Sequence, residues 1–463
     1  MPSQTAPSES MRPVGVRRWL TPAHAHYATL ALAFAFICWY GRDQWFYYDE
    51  WDFLTTGGLD FLAPHVGHWS TVPMLVTQAL VHTVGLHSYW PYLVLVILVH
   101  VGLAHVLWRV MNAVRVQPWI ATALALVFAL YGAGADNILW AFQFGFVGGI
   151  LCGSIAVLLA DGLTRENLRR RAPVIALIML LGLMFAGTAV PLVAALALLA
   201  LRRVGLVRAV IVAGAPTVVY LAWYLFAKAN PSYSMPTQWQ PDSAGQLLID
   251  VPLYAGRMIV GAFQGLSPLP FAGLVVAVAL LVFAVATLRR QWRAAPLALA
   301  FALAGIAFGL LTGFSRLNID PALATSGRYL YFVFAMAVPL CGVALTALCA
   351  LFRSRRRVAL AAVLAVSAAV GVWGALGIRQ HSAEMAGIEL PTRAVVYAAA
   401  SLIDDPAVTV DDDAYVEPLY APTLTVHQLR GLVDAGYLDV GEFDQAALDL
   451  AIKNIVPASG GDE

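Results

Sequence analysis

Charge is what this sequence has little of. Asp, Glu, Lys and Arg make up 12% of its 463 residues, against 60% apolar residues and a mean hydropathy of +0.75. A soluble globular chain carries roughly a quarter charged residues, so a polytopic membrane protein is implied. The net charge of +1 gives no sign of a nucleic-acid partner. Cysteine is equally scarce: Cys38, Cys152, Cys341 and Cys349 lie singly in apolar runs, without the paired spacing of a zinc site or a redox pair. No internal repeat or low-complexity tract is evident. No small-residue cleavage site follows the apolar run at 27–40, so that run reads as an uncleaved first helix rather than a signal peptide.

What is present is a set of runs able to cross ~30 Å of hydrocarbon, which takes about 20 mostly apolar residues. Eleven candidates lie near 24–42, 89–109, 119–135, 141–161, 173–187, 188–201, 209–228, 268–288, 295–314, 328–351 and 358–378. The pair around Gly187 is read as two helices meeting at the tight turn FAGTAVP. Short loops rich in Lys and Arg stay in the cytoplasm. With eleven spans, Arg12 with Arg17 and Arg18, Arg109 with Arg115, Arg165 with Arg169 to Arg171, Arg202 with Arg203 and Arg208, Arg289 with Arg290 and Arg293, and Arg353 with Arg355 to Arg357 all fall on the side of the N-terminus. The expected organisation is a cytoplasmic segment 1–23, a transmembrane region 24–378 with an extracytoplasmic loop at 43–88, and an extracytoplasmic C-terminal region 379–463. The membrane itself is expected to be the plasma membrane.

That parity requires 70–86 not to cross. Thr71, Gln78 and His82 recur at i, i+7 and i+11, opposite Val72, Leu75, Val76, Ala79 and Leu80. An amphipathic helix of this kind lies in the interface. The C-terminal region turns acidic at Asp404, Asp405, Asp411 to Asp413 and Glu417, and reads as a small α/β or α unit: a strand at 407–410, then one or two amphipathic helices.

The first loop, FYYDEWDFLTTGGLDFLAPHVGHWSTVP, gathers Asp49, Glu50, Asp52 and Asp60 with His65 and His68. The preceding Trp45, Phe46, Tyr47 and Tyr48 form an interfacial aromatic belt, which sets the carboxylates at the membrane boundary. Carboxylates held there can take the proton of an acceptor hydroxyl. A phosphate leaving group at headgroup level needs cations or hydrogen-bond donors instead. Arg328, opening the span SGRYLYF beside Tyr329, suits a forked contact to phosphate, and Arg316 faces the same loop. Interfacial arginines ordinarily snorkel to headgroups, which is the competing role for both. Trp140 and Gln143, in the turn DNILWAFQFGF, are candidates to stack on and hydrogen-bond a sugar.

An acidic pair just after the first span, followed by membrane-surface helices with a proline at the start of one, resembles the GT-C superfamily of polyprenyl-phosphate-sugar-dependent glycosyltransferases, such as the protein O-mannosyltransferases and the aminoarabinose transferases of lipid A. The matching residues are Asp49-Glu50 and HWSTVP at 68–73, with DNILWAFQFGF at 136–146 and ATSGRYLYF at 324–332 also similar. Where mannosyltransferases carry a paired proline, this chain has only Val72-Pro73. The resemblance implies a hexosyl- or pentosyltransferase with Asp49 as general base and Glu50 supporting it. The donor would be a polyprenyl-phosphate sugar and the acceptor a glycan, lipid or protein. No cofactor is certain; Glu50, His65 and His68 are the candidate ligands should a divalent metal take part. The competing expectation is a transporter or flippase of a lipid-linked saccharide, which would place ionisable groups in broken helices near mid-membrane. A scaffold presenting the C-terminal region is the third.

Overall fold

The computed structural model describes residues 21–54, 58–233 and 241–457. Arg12, Arg17 and Arg18 lie outside the described residues, as do residues 234–240 of the loop at 228–243, expected to close over the site. The chain is an all-α polytopic membrane protein. In order its helices are α1 (Pro22–Tyr40), α2 (Thr71–Val84), α3 (Trp90–Ala113), α4 (Pro118–Ala129), α5 (Asp136–Leu139), α6 (Phe144–Asp161), α7 (Leu168–Phe185), α8 (Val190–Val204), α9 (Leu206–Ala229), α10 (Val251–Gln264), α11 (Ala272–Ala294), α12 (Pro296–Arg316), α13 (Gly327–Leu351), α14 (Arg356–Ile403), α15 (Val426–Asp434) and α16 (Gln445–Ile455). Two small hairpins accompany them: β1 (Pro64–His65) with β2 (His68–Trp69), and β3 (Tyr415–Glu417) with β4 (Ala421–Thr425), both antiparallel.

Among the described residues, nine helical stretches are long and apolar enough to cross a membrane. Three of the eleven expected segments are not among them. The helix at 22–40 forms, but His24 and His26 near its start dilute its hydropathy. The helix at 168–185 begins with three arginines. The segment 119–135 yields only a 12-residue helix, because Gly132 and Gly134 open its second half into tight turns. Such non-helical backbone is tolerated at membrane depth only where protein covers it. Here a Cβ on Gly132 would lie 2.4 Å from the Gly374 carbonyl of α14, and His100 bonds the Ala129 carbonyl at 3.0 Å.

The ninth stretch, Gln246–Gln264, was not expected as a span. It contains α10, which crosses over its neighbours: Val251 packs at the end of α12 beside Gly313, while Gly261 meets Leu330 in the first turn of α13. Below it lies an apolar cleft of about 550 Å³ between α10, α11, α12 and α13.

Arginines of three of the expected clusters gather at one end of the bundle. Arg203 pairs with Asp161 at 2.7 Å, Arg202 donates to the Arg293 carbonyl at 3.3 Å, and Arg171 donates to the Gly162 carbonyl at 3.2 Å. The 43–69 loop lies at the opposite end, where Trp223 near the end of α9 donates to the Leu62 carbonyl at 2.9 Å. This is the loop end. The FAGTAVP turn forms there as expected, one 3₁₀ turn joining α7 to α8. Helix α2 also lies there with its polar stripe turned onto protein: Gln78 donates to the Phe53 carbonyl at 2.7 Å and His82 bonds the Tyr437 hydroxyl at 2.6 Å.

The boundary expected at 379 falls inside α14, a continuous helix of 48 residues. The strand expected at 407–410 is not formed, because Asp405 turns the chain there and accepts from the Ala407 N–H at 2.9 Å. Strands β3 and β4 form further on, and the two amphipathic helices are α15 and α16. This C-terminal unit closes onto the first loop, with Tyr48 N–H donating to the Tyr420 carbonyl at 2.8 Å and Leu86 N–H to the Tyr437 carbonyl at 2.6 Å.

Candidate active site

The aromatic run ends in a single 3₁₀ turn, Tyr48–Asp52. Tyr48 adopts the left-handed conformation, φ +50, which non-glycine residues enter only at a cost. The Tyr420 carbonyl that takes its N–H helps to hold it there. The turn separates the acidic pair. Glu50 points inward and is buried, accepting from Tyr47 N–H at 2.7 Å, Tyr89 O–H at 2.9 Å and Phe142 N–H at 3.1 Å. Burial pushes its carboxyl well up, against the pull of the Tyr47 and Tyr89 donors. Glu50 therefore ties the first loop to the 136–146 turn and lies away from the open cavity. Asp49 points the other way.

Asp49 lines a cavity of about 110 Å³ together with His65, His68, Gln143, Arg316, Arg328 and Tyr329. Seven of the nine residues singled out in the sequence thus converge on one space. They come from the first loop, the 136–146 turn, the end of α12 and the start of α13. The β1–β2 hairpin places both histidines. His65 Nδ1 meets Asp52 at 3.3 Å, and its Nε2 is buried without a hydrogen-bond partner among the described residues. A ring that donates Nδ1–H to a carboxylate presents Nε2 as an acceptor. His68 sits on Gly187, where a Cβ would lie 2.6 Å from its Nδ1; the FAGTAVP turn can come this close only through glycine.

Burial governs the protonation states. It raises the Asp49 carboxyl above the ordinary range, with Asp52 adding to the rise and His65 and Arg328 pulling against it. It lowers His65, against the pull of Asp52 and Asp49. His68, an exposed side chain set in the protein-lined cavity, is lowered to about 4 by the protein packed around its ring and by the Arg316 charge. The cavity thus offers a carboxylate made more basic than usual, two neutral imidazoles and two fixed cations.

Trp140 lies outside this cavity but under Arg328, whose guanidinium is 5.7 Å from its ring. Both line a second cavity of about 250 Å³. Asp49 lines it too, so Asp49 and Arg328 form the partition between the two spaces. On the far side are Tyr47, Tyr48, Asp136, His381 and Glu389. Asp136 meets His381 Nε2 at 3.0 Å; burial raises its carboxyl, but the His381 bond and charge, with Arg328, bring it net below the ordinary range. Glu389 accepts from Trp45 N–H at 2.8 Å.

His381 and Glu389 were missed in the sequence because the membrane region was expected to stop before 379. With Met385 they recur at i, i+4 and i+8, a helical face legible once α14 is read through. Among the described residues no three His, Cys, Asp or Glu side chains converge as metal ligands would. Of the three candidate ligands, Glu50 is engaged in its own network, while His65 and His68 share the cavity. No protein-family model matches this chain, and no curated protein or solved structure matches it.

Proposed function

We propose that this chain is a glycosyltransferase of the GT-C kind, moving a sugar from a polyprenyl-phosphate donor to an acceptor hydroxyl at the extracytoplasmic face of the plasma membrane. The observation that carries the reading is the shared cavity: a half-buried carboxylate of raised basicity, Asp49, in one space with the guanidinium groups of Arg316 and Arg328.

The reaction is a single displacement. The acceptor oxygen forms a bond to the anomeric carbon while the bond from that carbon to the phosphate oxygen breaks. Asp49 takes the acceptor proton and becomes a carboxylic acid. The electron pair leaves on the phosphate, and polyprenyl phosphate is released against Arg316 and Arg328. General-base help contributes ~10²–10⁴-fold, and a pre-placed charge partner for the leaving group contributes on a similar scale. Gln143 and Tyr329, which line the cavity, are assigned to orient the donor sugar and phosphate. Glu50 supports by position, fixing the turn that aims Asp49.

Two further features fit. The apolar cleft beneath α10 is lined by aliphatic side chains such as Ile259, Leu281 and Leu303, a surface that suits an isoprenoid chain. The buried acidic groups concentrate at the loop end rather than at mid-membrane, as a transferase at a surface requires and a flippase does not. The orientation, with the N-terminus cytoplasmic, rests on the gathering of arginines at the opposite end.

The test is Asp49→Ala in the full chain, reconstituted with a radiolabelled polyprenyl-phosphate sugar. Sugar transfer is expected to collapse while membrane insertion stays normal. Undiminished transfer would remove Asp49 as base, and donor movement across vesicles without any transfer would establish the flippase instead.

A further inference from the structure

The second cavity has a chemistry of its own. It holds about 250 Å³, near the ~300 Å³ lower end of sites for drug-sized ligands. Its walls combine three aromatic rings, Tyr47, Tyr48 and Trp140, with the hydrogen-bonding groups of Asp136, His381 and Glu389. The aromatic wall is braced: Trp140 Nε1–H donates to the Tyr47 carbonyl at 3.3 Å, the Tyr47 and Trp140 rings pack edge to face at 5.7 Å, and Tyr47 lies 6.1 Å from the Tyr420 ring of the C-terminal unit. The polar wall is braced by the Asp136–His381 contact and by Glu389 on Trp45 N–H. Rigid rings beside fixed acceptors match a ligand with flat C–H faces and a rim of hydroxyls.

Charge argues against an anionic acceptor. Among the described lining residues Arg328 alone carries a fixed positive charge, against the carboxyls of Asp49, Asp136 and Glu389. An anionic lipid headgroup would meet those carboxyls. A neutral polyol would instead give them its O–H donors.

We propose that this chamber is the acceptor subsite and that its ligand is a saccharide, whose reacting hydroxyl reaches Asp49 at the partition. Saccharide binding here stands on the chamber alone; the acceptor role rests on the transferase reading. A sugar stacked on Trp140 and Tyr48 sits on the opposite side of Asp49 and Arg328 from the cavity with both arginines. The two substrates then meet across one carboxylate.

The experiment uses the full chain in nanodiscs and saturation-transfer NMR. The probes are three methyl glycosides, of mannopyranose, galactopyranose and arabinofuranose, with a serine-containing tetrapeptide and glycerol 3-phosphate as competing acceptor chemistries. At least one glycoside is expected to bind. Trp140→Ala, Tyr48→Ser and Asp136→Asn are each expected to weaken it roughly tenfold, the scale of one lost aromatic or hydrogen-bonding partner. Tyr48 is an exposed side chain, so Tyr48→Ser reports on binding even if Trp140→Ala does not fold. No glycoside binding, binding indifferent to both aromatic substitutions, or a signal from only the peptide or glycerol 3-phosphate would overturn the proposal. The two readings separate cleanly. Saccharide binding in a chain that transfers no sugar keeps the chamber and removes the transferase; transfer whose acceptor KM ignores Tyr48→Ser and Trp140→Ala keeps the transferase and removes the chamber.

Discussion

Two cavities share a wall at the loop end, and they differ in size, charge and construction. The smaller, about 110 Å³, holds both Arg316 and Arg328 and is built from the first loop, the 136–146 turn and the ends of α12 and α13. The larger, about 250 Å³, is aromatic and acidic and takes one wall from α14. A compact anion suits the first and a polyhydroxylated ring the second. Asp49 and Arg328 belong to both, so the proposed chemistry sits where the two environments meet. On the proposed reading, an acidic loop serves a phosphate donor by drawing its cations from other helices, with the carboxylate at the partition between them and the acceptor.

The largest way to break this comparison is at the partition. Asp49→Ala is expected to lower transfer by ~10²–10⁴-fold, measured with labelled donor in vesicles, while glycoside binding in the larger cavity persists. Retained transfer would mean that the shared carboxylate is not the base.

Next come the arginines. Arg328→Gln is expected to lower kcat by ~10²–10³-fold, the usual loss for one pre-placed charge partner, and to disturb the KM of both substrates because it lines both cavities. Arg316→Gln should raise the donor KM alone. Equal effects of both substitutions on acceptor KM would dissolve the distinction between the chambers.

Glu50 tests the division of the acidic pair. Glu50→Ala strips the partner from one buried and two half-buried donors, at about 1–3 kcal/mol for a buried group left unsatisfied. A marked fall in thermal-unfolding temperature is expected in detergent, with Glu50→Gln milder. A stable Glu50→Ala protein with abolished transfer would restore Glu50 to the chemistry.

The smallest effect is on pH dependence. Protonation removes the base, so kcat/KM should fall as pH drops through the Asp49 pKa. Because burial raises that pKa, the acid limb should lie above the ordinary aspartate value of ~3.9. Asp52→Asn removes a like charge and should move the limb downward; an upward move would show that Asp52 acts on Asp49 chiefly by holding His65.

The membrane class and most of the helices were legible because hydropathy is a local property of each run. Likewise, the cationic cavity was legible because its residues stand out against an apolar background. What sequence could not show was direction. Asp49 and Glu50 are neighbours of one chemistry, and only the left-handed turn at Tyr48 sends one into the cavity and the other into a buried network. The short helix α4 and the crossing helix α10 were misjudged because their lengths are set by tertiary contacts, Gly132 on Gly374 and Val251 beside Gly313. His381 and Glu389 escaped because hydropathy falls at 379 although the helix continues.

The bond from Tyr48 N–H to the Tyr420 carbonyl has a consequence in time. The first loop leaves the ribosome about 370 residues before the hairpin that braces it. At ~5–20 residues per second the interval is roughly 20–70 s. Throughout it, a nascent chain that has already inserted its first helices carries Asp49 on an unbraced turn. The site is assembled only once the 415–425 hairpin has been made, so a chain truncated before 420 would occupy the membrane without the brace on the turn that aims its carboxylate.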